Sequence, residues 1–233
     1  MFNLYMTDYL YLILVVPALI LALFAQGYVK STFNKYSKVL TAYTSNTLVE
    51  NMLRKNEISD VTIVSGTGYL SDHYDIRRKI ISLSEPVYDS KSDAALGVAC
   101  HEAGHALQYK YGYFPIKLRS YILPIVKFAS GSALPIALLG LLFSNILIKI
   151  GVILFASTVL FQVLLLPIEF NASKRAINEL DISLSDEELK GVKKVLTAAA
   201  LTYVASALVS VANFLRIVLI LNRRNDRRNW LQL

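Results

Sequence analysis

Four long apolar blocks constrain the fold of this chain more than any other feature of its sequence. They cover residues 9–28, 121–143, 146–167 and 198–221. Each block reaches about 20 residues, the length that a helix needs to cross a hydrocarbon core of roughly 30 Å. Hydrophobic residues make up 55% of the chain and charged residues 18%, a composition typical of membrane proteins. We therefore predict a mainly α-helical membrane protein with about four transmembrane helices.

The second and third blocks are separated only by Ser144 and Asn145. This spacing predicts a tight membrane hairpin, because both blocks are long enough to span. A hairpin returns the chain to the side of the membrane that it left. Residues 30–120 and 168–197 are therefore expected to share one compartment.

The net charge of +7 fits membrane orientation better than nucleic-acid binding, because the basic residues lie beside apolar blocks without interleaved aromatic residues. Lys30, Lys35 and Lys38 directly follow the first block, which predicts that this side faces the cytoplasm. If all four blocks cross, the basic tail at 223–233 falls on the opposite side. An alternative is therefore that the fourth block forms an interfacial helix that does not span the membrane.

The first block is expected to remain as an anchor. Residues 1–8 contain no Lys or Arg, and no A-x-A-like cleavage site follows the block, so a secretory signal peptide is not indicated. Cys100, the single cysteine, excludes an internal disulfide. It is expected to be a small buried side chain rather than a metal ligand.

His101-Glu102-Ala103-Gly104-His105 is the motif that indicates chemistry. It lies in a run, 92–109, that is predicted to form one helix, for which Ser90 or Ser92 offers an N-cap. Side chains four residues apart lie on the same helix face, so both imidazoles can bind one metal ion. Glu102 is then placed to take a proton from a water on that ion, as in zinc hydrolases.

A catalytic zinc usually takes three protein ligands and leaves a fourth place for water. Glu169 is the preferred third ligand, because it emerges from the predicted hairpin on the same side as the motif. Glu179, Glu187 and Glu188 are weaker candidates, and His73 remains an alternative. The candidates for stabilising the oxyanion are His73, Tyr74 and Arg175, and those for orienting a ligand imidazole are Asp72, Asp75, Asn171 and Ser173.

The remaining segments have simpler interpretations. Residues 61–64 and 79–83 have strand composition and are predicted to pair as a β-hairpin, and residues 36–56 read as an amphipathic helix. A further helix is predicted to run from Ser185, with acidic residues in its first turn. Gly97 and Gly104 weaken the motif helix, which suggests close approach by another segment.

Four stretches resemble the YugP-type neutral zinc metallopeptidases of bacterial membranes. They are LSDHYD (70–75), GVACHEAGHALQ (97–108), EFNASKRA (169–176) and VLTAAALTYVA (195–205), and they span most of the chain. The resemblance implies a membrane-embedded zinc peptidase of the gluzincin type, with His101, His105 and Glu169 as ligands and Glu102 as base. It also implies a multi-pass protein of the bacterial cytoplasmic membrane, whose site we expect on the cytoplasmic face.

The order of the segments is also similar, more distantly, to the HtpX and CAAX-processing membrane proteases. Those carry E-x-x-x-D after the hairpin, whereas this chain has Ser173 at the position of the aspartate. The leading hypothesis is a zinc endopeptidase with one Zn²⁺ per chain that cleaves membrane-associated or misfolded polypeptides. The alternatives are a catalytically silent membrane scaffold with a structural zinc site and a hydrolase of non-peptide amides.

The expected organisation has six parts. It comprises an anchor (1–29), a zincin-like catalytic region with the HEXXH helix (30–120), a transmembrane hairpin (121–167), a segment with the third zinc ligand (168–197), a fourth apolar helix (198–222) and a basic tail (223–233).

Overall fold

A computed structural model describes residues 9–230 of the chain. The first residues of the predicted anchor, 1–8, and the end of the predicted basic tail, 231–233, lie outside the described residues.

Helices form most of the described chain. A π-helical segment, Tyr11–Val15, leads into α1 (Val16–Tyr36); the others are α2 (Ser45–Lys55), α3 (Asp93–Lys110), α4 (Phe114–Phe143), α5 (Asn145–Leu180) and α6 (Asp186–Trp230). Within residues 9–230, four stretches are long and apolar enough to cross a membrane: Tyr11–Tyr36, Phe114–Gly140, Asn145–Leu180 and Asp186–Asn222. The mainly α-helical membrane architecture predicted from the sequence is confirmed.

Within the described residues, contacts divide the chain into two units. The first comprises 9–24, 119–165 and 203–230, and the second comprises 25–118 and 166–202. In the first unit, α4 and α5 form the predicted hairpin around Ser144. A Cβ on Gly151 of α5 would lie 2.9 Å from the carbonyl oxygen of Ala133 of α4, which shows how closely these two helices pack.

The second unit contains a three-stranded sheet, with strands β1 (Thr62–Gly66), β2 (His73–Asp75) and β3 (Ile80–Ser84) in the order β1-β3-β2. The predicted hairpin between the first and last of these strands is wrong, because β1 and β3 pair in parallel. Instead β2, in the connection between the two predicted strands, pairs antiparallel with β3. A short turn folds β2 directly back onto β3, so only the other edge of β3 is left for β1.

The amphipathic helix predicted over 36–56 is shorter than expected. Thr44 caps α2, since its hydroxyl oxygen accepts a hydrogen bond from the Thr47 amide at 3.3 Å. The preceding residues form a connection in which Leu40 is exposed and makes an isolated bridge to Ser92. The buried face of α2 packs into the core of the second unit.

That core surrounds the motif helix. The side chains of α3 pack against those of α2, the sheet, the end of α5 and the start of α6; they include Leu48, Val49, Ile81, Leu83, Leu96, Ala103, Ala176, Val192 and Val195. Ser185 and Glu188 form a capping box at the start of α6, with the Ser185 amide donating to the Glu188 carboxylate at 2.8 Å. The predicted start of this helix is confirmed.

Candidate metal centre

The motif helix is fixed at both ends by local chemistry. Ser92 is its N-cap, and the hydroxyl oxygen accepts a hydrogen bond from the Ala95 amide at 3.3 Å. After Lys110 the chain turns at Gly112, whose φ of +65° is unfavourable for residues with a side chain. The helix thus extends over Asp93–Lys110, as the sequence predicted to within one residue at each end.

Three side chains meet at the middle of this helix. Suitable donor atoms of His101, His105 and Glu169 all lie within 4.8 Å of one another. The Glu169 Oε2 atom is 3.2 Å from His101 Nε2 and 3.6 Å from His105 Nε2. The two imidazole rings are nearly perpendicular, with their centroids 4.9 Å apart. The spacing of four residues along α3 therefore aims both Nε2 atoms at one carboxylate oxygen.

This donor set fits a zinc ion. Ligand atoms about 2.1 Å from a tetrahedral ion lie about 3.4 Å from each other, and the two observed separations fall on either side of that value. Two imidazole nitrogens and one carboxylate oxygen are ligands that zinc prefers, and three protein ligands leave a coordination place for water. Within the described residues, the three side chains thus fit a zinc ion in the types of their ligand atoms and in the distances between them.

The electrostatics of the group also favour a cation. Burial alone would lower the pKa of His105, because the protein interior disfavours the charged imidazolium. Hydrogen bonding to Glu169 and the negative charges of Glu102 and Glu169 outweigh burial, so the pKa of His105 is raised. The same negative charge would favour a metal ion held by His101, His105 and Glu169.

Glu169 reaches the histidines because α5 passes very close to α3. A Cβ on Gly104 would lie 2.6 Å from the carbonyl oxygen of Ala172. Ala172, Ile168 and Ala176 on this face of α5 are fully buried. The close approach that the sequence suggested for Gly104 is confirmed. Glu169 lies within α5, which continues from the apolar block through Pro167.

A second layer of polar side chains holds the two imidazoles. His101 Nδ1 lies 3.0 Å from the Ser173 hydroxyl, and His105 Nδ1 lies 2.9 Å from Gln108 Oε1. Gln108 in turn donates to the Ile168 carbonyl and to Asn171 Oδ1. Ser173 was among the candidates for this role, whereas Gln108 was not considered. The sequence feature that indicates this role for Gln108 is its position. It is a polar residue one helical turn after His105, on the same face of α3 as His105.

Glu102 is buried, with only 8% of its surface exposed. His73 is not a member of the three-residue group. It lies on β2, exposed to solvent, with Nδ1 2.9 Å from the Ser71 carbonyl oxygen. Arg175 donates from Nε to Asn171 Oδ1 at 2.9 Å and covers the Tyr111 ring at 5.5 Å.

The other candidates have partners of their own. Asp72 accepts hydrogen bonds from the amide and the hydroxyl of Ser84, and Asp75 accepts from the amides of the turn that follows it. Glu179 forms an ion pair with Lys55 at 2.8 Å. Tyr74 packs beside Tyr109, and burial raises the pKa of Tyr74 to about 12.

The fold and this site define a class: an α-helical membrane protein in which two histidines on one helix and a glutamate on another could hold a metal ion. The chain belongs to the family whose model is described as "Putative neutral zinc metallopeptidase", which matches residues 11–222. The resemblance seen in the sequence is thereby confirmed.

One relative is the "Putative membrane protease YugP" of Bacillus subtilis (strain 168). It is 46% identical over 224 residues, which cover 93% of this chain and 99% of the relative. No solved structure matches the chain significantly.

Proposed function

We propose that the chain is a membrane-embedded zinc metalloendopeptidase in which His101, His105 and Glu169 hold one zinc ion. The observation that carries the proposal is the convergence of three preferred zinc ligands, two of them from an H-E-x-x-H helix. The name of the family and that of the YugP relative support the same activity. A donor group of three rather than four side chains favours catalysis over a structural site.

When bound, zinc polarises the scissile carbonyl and lowers the pKa of a water toward about 7. Glu102 takes the proton of the attacking water and later returns it to the leaving amine. Its buried position, one residue from His101, shields this transfer from bulk solvent. His73 and Arg175 are proposed to stabilise the oxyanion, and an H73A variant with lower kcat and unchanged zinc content would support that role for His73.

In this proposal, residues 30–120 and 168–197 form the catalytic part, and the apolar segments 1–29, 121–167 and 198–222 hold it at the membrane. Lys30, Lys35 and Lys38 favour a cytoplasmic active site in the bacterial cytoplasmic membrane. The substrates are polypeptides that are misfolded or membrane-associated. Cysteine labelling of a Lys38→Cys variant from either side of sealed vesicles tests the orientation.

The experiment compares purified wild type with H101A, H105A, E169Q and E102Q variants. We expect about one zinc per chain in wild type and E102Q, and a loss of zinc in the three ligand variants. Wild type should cleave an unfolded protein such as casein, whereas E102Q should not. A wild-type protein that binds zinc but does not cleave casein would favour the alternative of a catalytically silent scaffold. A wild type purified without chelator that contains no zinc would refute the site.

Substrate trapping then addresses specificity. E102Q is expected to retain zinc and to hold uncleaved polypeptides in native membranes, where they can be crosslinked and identified. The matched control is E102Q/H101A, which is expected to lose the zinc and therefore the captured polypeptides. Equal capture by both variants would show binding that does not depend on the site.

A further inference from the structure

We propose that Gln108 is a positioning residue that fixes which ring nitrogen of His105 carries the proton, and that Asn171 and Arg175 fix the orientation of Gln108. This inference rests on the proposed zinc site. It assigns a role to a chain of three side chains that do not themselves belong to the donor group.

The Gln108 amide is fully buried, and each of its two ends has partners of a definite kind. Its nitrogen lies 2.7 Å from the Ile168 carbonyl oxygen, which can only accept a hydrogen bond. The same nitrogen lies 3.0 Å from Asn171 Oδ1. Rotating the amide by half a turn would bring two oxygens together at the Ile168 carbonyl. The nitrogen therefore faces Ile168, and Oε1 faces His105.

The orientation of Asn171 is fixed in the same way. Arg175 donates from Nε to Asn171 Oδ1 at 2.9 Å. A guanidinium has donors and no acceptor, so the atom of Asn171 that faces Arg175 must be the oxygen. That oxygen accepts from Arg175 and from Gln108 at once. The packing of Arg175 over the Tyr111 ring holds the guanidinium in place.

The direction of donation now determines the tautomer of His105. Gln108 Oε1 can only accept, so at 2.9 Å His105 must donate from Nδ1. In the neutral imidazole the lone pair is then on Nε2, the atom that faces Glu169. A metal binds that lone pair. The chain Arg175, Asn171, Gln108 thus presets His105 as a ligand before the ion arrives.

His101 is held differently. Its Nδ1 atom lies 3.0 Å from the Ser173 hydroxyl, which can either donate or accept. Ser173 orients the ring of His101 without dictating its tautomer. The two histidines of the motif therefore differ in how their tautomers are set. Gln108 fixes the tautomer of His105, whereas within the described residues no partner of this kind fixes that of His101.

The test measures the zinc Kd by chelator competition in Q108L, Q108E, N171A, N171D and the Q108L/N171A double variant. Removing a hydrogen-bonding partner of a ligand histidine typically costs about 10–100-fold in metal affinity, and we expect this loss for Q108L. Glu at position 108 still accepts from His105 Nδ1 but cannot donate to the Ile168 carbonyl or to Asn171 Oδ1, so Q108E should bind zinc more weakly than wild type and more tightly than Q108L. The exposed Gln26 on α1 provides the matched control Q26L.

Asn171 provides a second, independent test of the positioning role. N171A should weaken zinc binding, and N171D should not, because aspartate keeps the acceptor for Gln108 and Arg175. If Asn171 acts through Gln108, N171A should add nothing in the Q108L background, and the double-mutant cycle should be strongly non-additive. The absorption spectrum of bound Co²⁺ should change in Q108L and N171A but not in Q26L.

The outcomes separate this inference from the proposed function. A wild-type protein that binds no zinc would refute the proposed zinc site itself. A wild type that binds zinc, with an unchanged Kd in folded Q108L or equal losses in N171A and N171D, would refute the positioning role alone. If Q108L does not fold, the comparison of the zinc Kd of N171A with that of N171D still tests the positioning role. Equal losses of affinity in Q108E and Q108L would likewise refute it.

Discussion

Gly104 and Ala172 bring the two halves of the candidate metal centre together. A Cβ on Gly104 would lie 2.6 Å from the carbonyl oxygen of Ala172 and 3.2 Å from its Cα, so α3 and α5 meet through backbone atoms. Gly104 lies one residue before His105, and Ala172 lies three residues after Glu169. The distance between the histidines and the carboxylate therefore depends on the absence of a side chain at position 104.

We expect G104A to weaken zinc binding and to lower stability. Alanine normally stabilises a helix interior by about 1 kcal/mol relative to glycine, but overpacking of a close contact costs about 1–3 kcal/mol. The neighbouring atoms belong to a backbone and cannot rotate away, so the helices must separate. We expect a lower Tm and a zinc Kd at least about tenfold higher, since ligand geometry would be disturbed.

The matched control is G97A on the same helix. A Cβ there would lie 3.3 Å from a methyl group of Val192, a side chain that can adjust. G97A should therefore leave the zinc Kd unchanged and alter stability by less than about 1 kcal/mol. Equal effects of both substitutions on zinc binding would contradict the backbone contact as the element that sets the site.

The sequence alone was enough to predict the motif helix, the membrane hairpin and the pairing of Glu169 with the histidines. These features follow from periodicity and from the length of apolar blocks, which are local properties. The order of the strands was not predictable, because β2 has only three residues and no alternating pattern. Gln108 was missed because its partner Asn171 is 63 residues away, so its role depends on tertiary contacts.

The second prediction concerns the pH dependence of stability. Asp93 is buried, and within the described residues its Oδ1 atom has no hydrogen-bond partner. Burial, together with the charge of Glu188, raises the pKa of Asp93 to about 6. The folded chain therefore binds more protons at this residue than the unfolded chain between about pH 4 and 6. The stabilisation is present below pH 4 and is lost as the pH rises through 6.

We therefore expect D93N to raise the free energy of unfolding at pH 7.5 by about 2 kcal/mol or less. The gain is limited because a charge in the first turn of a helix contributes about 0.3–1 kcal/mol. The difference between D93N and wild type should vanish near pH 4. Thermal unfolding in detergent across this range is the measurement.

D186N is the control for the helix charge, because Asp186 is exposed in the first turn of α6. It should have a small destabilising effect at pH 7.5. A D93N variant less stable than wild type at pH 7.5 would show that Asp93 has a favourable partner when it is ionised.

The third prediction concerns Cys100. This residue is adjacent to His101 but is only 1% exposed, in the core around α3. Burial, together with the charge of Glu179, raises the pKa of the thiol to about 12, so almost no reactive thiolate is present at pH 8. Maleimide should not modify folded protein at pH 8 and should modify it fully after denaturation, as measured by mass spectrometry.

K190C, with an exposed second thiol on α6, is the positive control. Rapid labelling of Cys100 in folded wild type would contradict its buried position.

The last prediction concerns Ser173, which lies four residues after Glu169 on α5. Its hydroxyl lies 3.0 Å from His101 Nδ1 and can orient the ring, but it contributes no charge. An aspartate would accept the Nδ1 proton and increase the basicity of the imidazole, as in carboxylate–histidine–zinc triads. S173D should therefore bind zinc several-fold more tightly than wild type, and S173A several-fold more weakly, in chelator competition. Ser183, four residues beyond Glu179 and outside the polar network, provides the control S183A. If S173D instead weakens zinc binding while the protein stays folded, the space beside His101 admits a hydroxyl but not a carboxylate.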